Sequence, residues 1–238
     1  MAAVIETAAE AETAVYFVHV SSAAGLQAIR EGRRRSGAPI RMETCPQYLA
    51  LDDTVYSGPD GRQFIVTPPL RAAGDAAELL AAIANGEVDV VATDHCSFRR
   101  AQKEREAPFT EIPSGLPGVE TRLPLLHTLT AGRMPPERLV RCLSAEPARI
   151  LGLYPRKGSL TPGGDADLVL FDPQEEWEPA PEALHMETDF SPFAGMRVRG
   201  KVRRVFLRGK PVLENGVLKG PPRGRFLRRG LDESGIPE

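Results

Sequence analysis

With 238 residues, 42% hydrophobic and 26% charged at a formal net charge of −2, the chain can bury a substantial core as one large domain or two small ones. The near-neutral balance leaves no electrostatic footprint for nucleic acid or an anionic membrane, and no apolar run reaches the length needed to span a bilayer. Cys45, Cys96 and Cys142 are too few and too scattered for a disulfide framework or a cysteine zinc site, and Glu6, Glu10 and Glu12 argue against a signal peptide, so a reducing, cytoplasmic setting is expected. Residues 3–12, rich in Ala and Glu, predict a helix. Residues 14–20 predict a strand, followed by a helix whose apolar face runs through Leu26 and Ile29 until Gly37-Ala-Pro39 breaks it. Ile40 to Thr44 and Phe64 to Thr67 read as short strands, the second stopped by Pro68-Pro69. Asp75 reads as the cap of a helix over 76–84 that closes at Asn85-Gly86.

Val88 to Thr93 then reads as a strand buried on both faces, and it stops abruptly at Asp94. Strand and helix alternate at least three times, which predicts a parallel α/β layout. Residues 99–118 read as a long loop, and helices are expected over 120–130 and 136–151. From Lys157 the pattern changes to turns and short strands at 166–171, 202–207 and 212–213, with Asn215-Gly216 as a hairpin signal. The tail from Pro221 is rich in Pro, Gly and Arg and is expected to be extended or disordered. The arginines at 33–35 and 223–229 read as solvated surface or tail.

Two polar residues interrupt or end apolar strands: His19 and Asp94. An imidazole and a carboxylate aimed at one end of a parallel sheet form a metal-ligand set or an acid/base pair. The plainer alternatives are a hydrogen-bonded histidine and an aspartate that caps a turn. His95, His127 and His185 have weaker claims, and no His-x-His pair is present. Neither a phosphate-binding loop nor a Gly-x-Ser-x-Gly elbow occurs.

Eight short strings, in order, carry a resemblance. They are Val18-His-Val-Ser-Ser22, Glu43-Thr-Cys-Pro-Gln-Tyr-Leu49, Thr67-Pro-Pro-Leu-Arg71, Asp94-His-Cys-Ser-Phe98, residues 113–122, Pro147-Ala-Arg-Ile150, residues 152–158 and Gly164-Asp-Ala-Asp-Leu168. Together they resemble the dihydropyrimidinase/hydantoinase branch of the metal-dependent amidohydrolases. The resemblance implies the second half of a (β/α)₈ barrel over residues 1–156, a small β-sandwich portion over 157–220, and a tail over 221–238. It implies two divalent metals, usually zinc, with His19 ligating one and Asp94 ligating the other while shuttling the proton. Cyclic amide or imide hydrolysis is the implied reaction, on a dihydropyrimidine or hydantoin ring, in a homo-oligomer that is commonly a tetramer. Positions 67 and 114 would hold the ring amide, largely through backbone groups. The family commonly has Ser and Asn there, whereas this chain has Thr67 and Ser114.

The resemblance starts about halfway through the family's barrel. The His-x-His strand and the lysine that becomes carboxylated have no match, since all five lysines follow Asp94. A truncated chain that is inactive alone is therefore expected. The competing readings are a non-catalytic scaffold of the same fold, which would need neither His19 nor Asp94, and a sibling allantoinase or dihydroorotase.

Overall fold

The computed structural model describes residues 1–221 and 224–229. Short β-rich runs build a parallel three-stranded sheet: β1 (Val15–Phe17), β2 (Ile40–Thr44) and β3 (Val90–Val91), in spatial order β1-β2-β3. Val15 pairs with Ile40, and Glu43 pairs with Val90, so β2 is the central strand. Parallel neighbours require crossovers. The helices α1 (Ala2–Glu10), α2 (Ala23–Arg35), the short α3 (Gln47–Ala50) and α4 (Ala73–Ala84) precede or bridge them. The α/β layout expected from the alternating pattern is thus present.

The core lies where α2 and α4 meet the sheet. Leu26, Ile29, Met42, Leu79, Ile83, Val91 and Leu126 form one cluster and are inaccessible to solvent. Their spacing on α2 and α4 is the helical one, which is why these stripes fold inward. Ser22 caps α2 by accepting from the Gly25 amide at 3.1 Å. Asp75 does not cap its own helix, which begins two residues earlier. It instead accepts from the Ala23 amide at 2.7 Å and so serves the start of α2. Asn85 and Gly86 close α4 as expected, with Gly86 at φ +85°.

Five expectations need correction. Residues 64–67 form no strand: a 3₁₀ turn, Gly61–Phe64, is followed by irregular chain. The expected strand 88–93 is laddered only at Val90 and Val91. The loop after Asp94 carries a helical turn, α5 (Arg100–Lys103). After α6 (Arg122–Leu129), the single helix expected over 136–151 is α7 (Pro136–Val140), a π turn (Arg141–Ala145) and α8 (Glu146–Ile150). The π turn precedes Pro147, which lacks the amide needed for a regular helical bond. Nor is Arg33 merely solvated. It donates to the Glu87 and Ile40 carbonyls and to Asp89, which is 8% exposed.

A four-stranded antiparallel sheet follows, in order β4 (Leu168–Trp177), β5 (Val198–Leu207), β6 (Lys210–Glu214) and β7 (Val217–Leu218). β4 is its outer strand. Leu168, Val169 and Leu170 there are 37%, 53% and 44% exposed, and Pro173 sits where the ladder shifts register. The seam with the first unit runs along α6: Thr128 Oγ1 donates to the Arg199 carbonyl at 3.0 Å and accepts from the Arg199 amide at 2.9 Å. The connection between β4 and β5 returns across the first unit and buries Phe190 and Phe193. The expected tail lies mostly outside the described residues, and its described part, 224–229, has no helix or strand. Among the described residues, no helix is long and apolar enough to cross a membrane.

Candidate active site

Two of the four candidate residues lie just past the carboxyl ends of parallel strands. His19 follows β1 and Asp94 follows β3, and both take left-handed backbone, at φ 40° and 46°. Residues other than glycine seldom adopt this conformation, and such strain gathers at functional positions. Their strands flank β2, so the two backbones stand about 10 Å apart, two strand spacings. The platform is firmly tied. The Val20 amide donates to the Glu43 carbonyl at 2.8 Å, and Thr44 Oγ1 donates to the Val20 carbonyl at 2.7 Å. His19 is half-buried and Asp94 is exposed.

The structure brings two of the four expected residues, Thr67 and Ser114, into direct contact. Ser114 Oγ donates to Thr67 Oγ1 at 2.8 Å, and both hydroxyls face solvent. Behind them the Gly115 amide donates to the Ile65 carbonyl at 3.0 Å. The Cys96 amide donates to the Leu116 carbonyl at 3.0 Å, which ties the Asp94 segment to the same loop. His95 Nδ1 accepts from the Gly118 amide at 3.1 Å and reinforces that tie. His19 stands apart from this patch, beyond β2.

Imidazole and carboxylate are suitable donors for a divalent metal, but two donors do not make a site. Among the described residues, no group of three or more His, Cys, Asp and Glu side chains is placed to hold a metal ion. The residues present therefore do not fit a resident metal by themselves.

Further polar and ionisable residues surround the candidate residues. Tyr48, 3% exposed, donates to the Pro68 carbonyl at 2.9 Å and so fixes the backbone beside Thr67. The string Pro46-Gln47-Tyr48 carried that signal. Glu43, on the central strand, accepts from the Tyr16 hydroxyl. Burial first, then Glu43, pushes the Tyr16 pKa above its ordinary range. Arg122 enters from the start of α6, donating to the Val91 and Leu143 carbonyls, and burial lowers its pKa. Cys45 and Cys96 are both pushed up, by burial first and by Asp94 among the nearby charges, so they stand as thiols at neutral pH. Lys103 is 0% exposed, and burial brings its pKa down to about 8. No local pattern marked it.

The remaining histidines serve the fold. His127 Nε2 lies 3.1 Å from the Pro173 carbonyl, and its ring meets Phe171 edge-on. His185 bridges Glu120 and the Gly216 carbonyl.

The Amidohydrolase family profile matches residues 13–212, most of the chain. The chain belongs to the amidohydrolase family. The chain is 43% identical over 220 residues to a D-phenylhydantoinase of Escherichia coli, across 90% of itself and 48% of that relative. It superposes on the crystal structure of dihydropyrimidinase from Brevibacillus agri with a TM-score of 0.88 and 38% identity, covering 91% of itself and 48% of that chain. The D-hydantoinase of a Bacillus species gives a TM-score of 0.88 at 39% identity, covering 92% of this chain and 49% of that one. The L-hydantoinase of Arthrobacter aurescens gives 0.83 at 30%, over 91% and 48%. The chain thus spans about half the length of the relatives it matches.

Proposed function

We propose that this amidohydrolase carries one side of the active site of a hydantoinase-type hydrolase that opens cyclic amide or imide rings, a hydantoin or a dihydropyrimidine. Residues 1–156 supply half of a (β/α)₈ barrel and residues 157–220 a β unit beside it. The reading rests above all on one observation: His19 and Asp94 stand at the ends of parallel strands in left-handed backbone. The likeness to a D-phenylhydantoinase and a D-hydantoinase over about nine-tenths of the chain adds to it. A scaffold reading gives no reason to hold two such residues in strained backbone at one end of the sheet.

Within these residues, Asp94 is the proton carrier. Its exposed carboxylate accepts a proton from the attacking water and returns it to the ring nitrogen as the amide bond breaks. The Thr67 and Ser114 segments hold the ring amide, with their hydroxyls paired in front and their main chain anchored behind. In this reading a divalent metal, probed here as zinc, would activate the water. His19 and Asp94 would give two of its donors, which is too few for a site among the described residues.

The test combines the purified chain with the amino-terminal half of the Escherichia coli D-phenylhydantoinase. Zinc content is read by plasma mass spectrometry, and hydrolysis is followed on hydantoin and dihydrouracil. The expected result is little zinc and no turnover for the chain alone, with both gained on combination and both lost in Asp94→Asn. Turnover indifferent to Asp94→Asn would refute the assignment.

A further inference from the structure

A lysine is almost never fully buried unless its ammonium is paired. Lys103, at 0% exposure, meets main-chain carbonyls instead of a carboxylate: Ile65 at 2.6 Å, Pro113 at 2.7 Å and Gly115 at 3.0 Å. An ammonium has three protons to donate, so this set uses all of them. The Phe98 ring lies 5.8 Å from the nitrogen and helps close it from water.

The identity of the three carbonyls gives the arrangement its meaning. Pro113 and Gly115 bracket Ser114, and Ile65 lies two residues before Thr67. The Ile65 carbonyl also accepts the Gly115 amide, so one oxygen joins both segments to each other and to the lysine. Gly115 has φ +136°, and a Cβ there would fall 2.4 Å from Cys96 Sγ. The loop is thereby pressed onto the segment that carries Asp94. A buried charge is weak evidence for stability, because an apolar side chain of similar volume commonly does as well. What an apolar side chain cannot do is fix three carbonyl oxygens at one point.

We propose that Lys103 is a positioning residue that holds the Thr67 and Ser114 segments in a single geometry beside Asp94. It does not touch the substrate. It pre-sets the hydroxyl pair and the main-chain groups that do, which spares the ordering that a loose pair of loops would undergo on binding. This rests on the reading of Thr67 and Ser114 as the ring-holding pair, but its physical core, the tied loops, can be tested without turnover.

The experiment compares wild type and Lys103→Met in the full 238-residue chain, because Met matches the stem of Lys and drops only the charge and donors. Amide hydrogen exchange is read at Gly115, Leu116 and the 65–67 segment, with Val20 and Ala92 as references on the sheet. The variant is expected to lose about ten- to a hundredfold protection at Gly115, the range for charged hydrogen bonds, with sheet amides changed by less than about twofold. Unchanged protection at Gly115, or an equal loss across the sheet, would overturn the proposal. If Lys103→Met does not fold, a lysine-labelled nitrogen spectrum of wild type decides. A slowly exchanging Lys103 ammonium coupled to three carbonyls supports the proposal, and a freely exchanging one overturns it. When the chain is combined with the D-phenylhydantoinase half, KM for hydantoin should rise about tenfold in Lys103→Met with kcat within about twofold. A fall in kcat with KM unchanged also overturns the proposal. Absence of turnover in the wild-type combination defeats the hydrolase reading, while the exchange data still decide the role of Lys103.

Discussion

Gly115 is the tightest point of the candidate site, and replacing it with alanine separates two effects. The first is backbone strain. At φ +136° an alanine occupies a region natural only to glycine, which costs about 1–3 kcal/mol. The second is overlap, since the new Cβ meets Cys96 Sγ at 2.4 Å and Cys96 Cβ at 2.7 Å. Overpacking of this kind costs about 1–3 kcal/mol more. Gly115→Ala should therefore destabilise by about 4 kcal/mol, read as a lower urea midpoint with both circular dichroism and Trp177 fluorescence. Cys96→Ala in the same chain removes the sulfur but leaves its Cβ, so it should recover only about 1 kcal/mol. The strain term survives in the double variant. A Gly115→Ala chain within about 0.5 kcal/mol of wild type would refute the argument. So would full recovery with Cys96→Ala, since overlap with sulfur would then be the whole effect.

Two further outcomes follow from polar groups away from the site. Asp89 accepts from the Met42 amide at 2.9 Å, from Arg33 at 2.5 Å and from Arg41 at 3.0 Å. Asp89→Ala leaves the buried Met42 amide without its acceptor and strips Arg33 of its carboxylate partner, leaving it the Glu87 and Ile40 carbonyls, so about 3 kcal/mol should be lost in urea unfolding. The arm to Arg41, more than half exposed, should contribute little of that, and Asp89→Asn should recover part by keeping an acceptor for Met42. His185 carries the pH prediction. Its Nδ1 lies 2.9 Å from Glu120 and its Nε2 2.9 Å from the Gly216 carbonyl, and only the imidazolium can donate to both. Glu120 first, then that carbonyl, raises its folded pKa. The contribution is thus full below the unfolded value of about 6.5 and disappears as pH rises through the folded value. The His185 contribution to Tm should fall as pH rises above about 6.5, and His185→Gln should flatten that fall; an unchanged slope in the variant would contradict it.

Local pattern carried the parallel sheet. β-branched runs ending at His19 and Asp94, and helical stripes such as Leu26 and Ile29, are signals within one element, and these were legible. Phe64 to Thr67 misled because its residues are strand-like while its partners are not. The Ile65 carbonyl goes to Lys103 and Gly115, so no neighbouring strand can use it. Lys103 itself was invisible, since hydropathy assigns a lysine to the surface and its acceptors lie 10, 12 and 38 residues away. Arg33 failed in the same way, inside a run that looked like a solvated patch. Asp75 was read correctly as a cap but assigned to the wrong helix, because its recipient is 52 residues distant. Thr67 and Ser114 were singled out through resemblance; only the fold shows that their hydroxyls meet. What sequence hid was consistently the long-range polar tie.

The outer strand β4 has a consequence for how this protein behaves in a tube. Ten residues of backbone lie along a sheet margin, and three consecutive aliphatic side chains at its start are more than a third exposed. Such a margin can accept another strand, from any chain, because hydrogen-bonding groups and greasy surface are offered together. The ladder irregularity around Pro173, whose carbonyl is taken by His127, interrupts it. A charged residue at Val169, the most exposed of the three, should lengthen the time before light scattering rises, while the urea midpoint stays where it was.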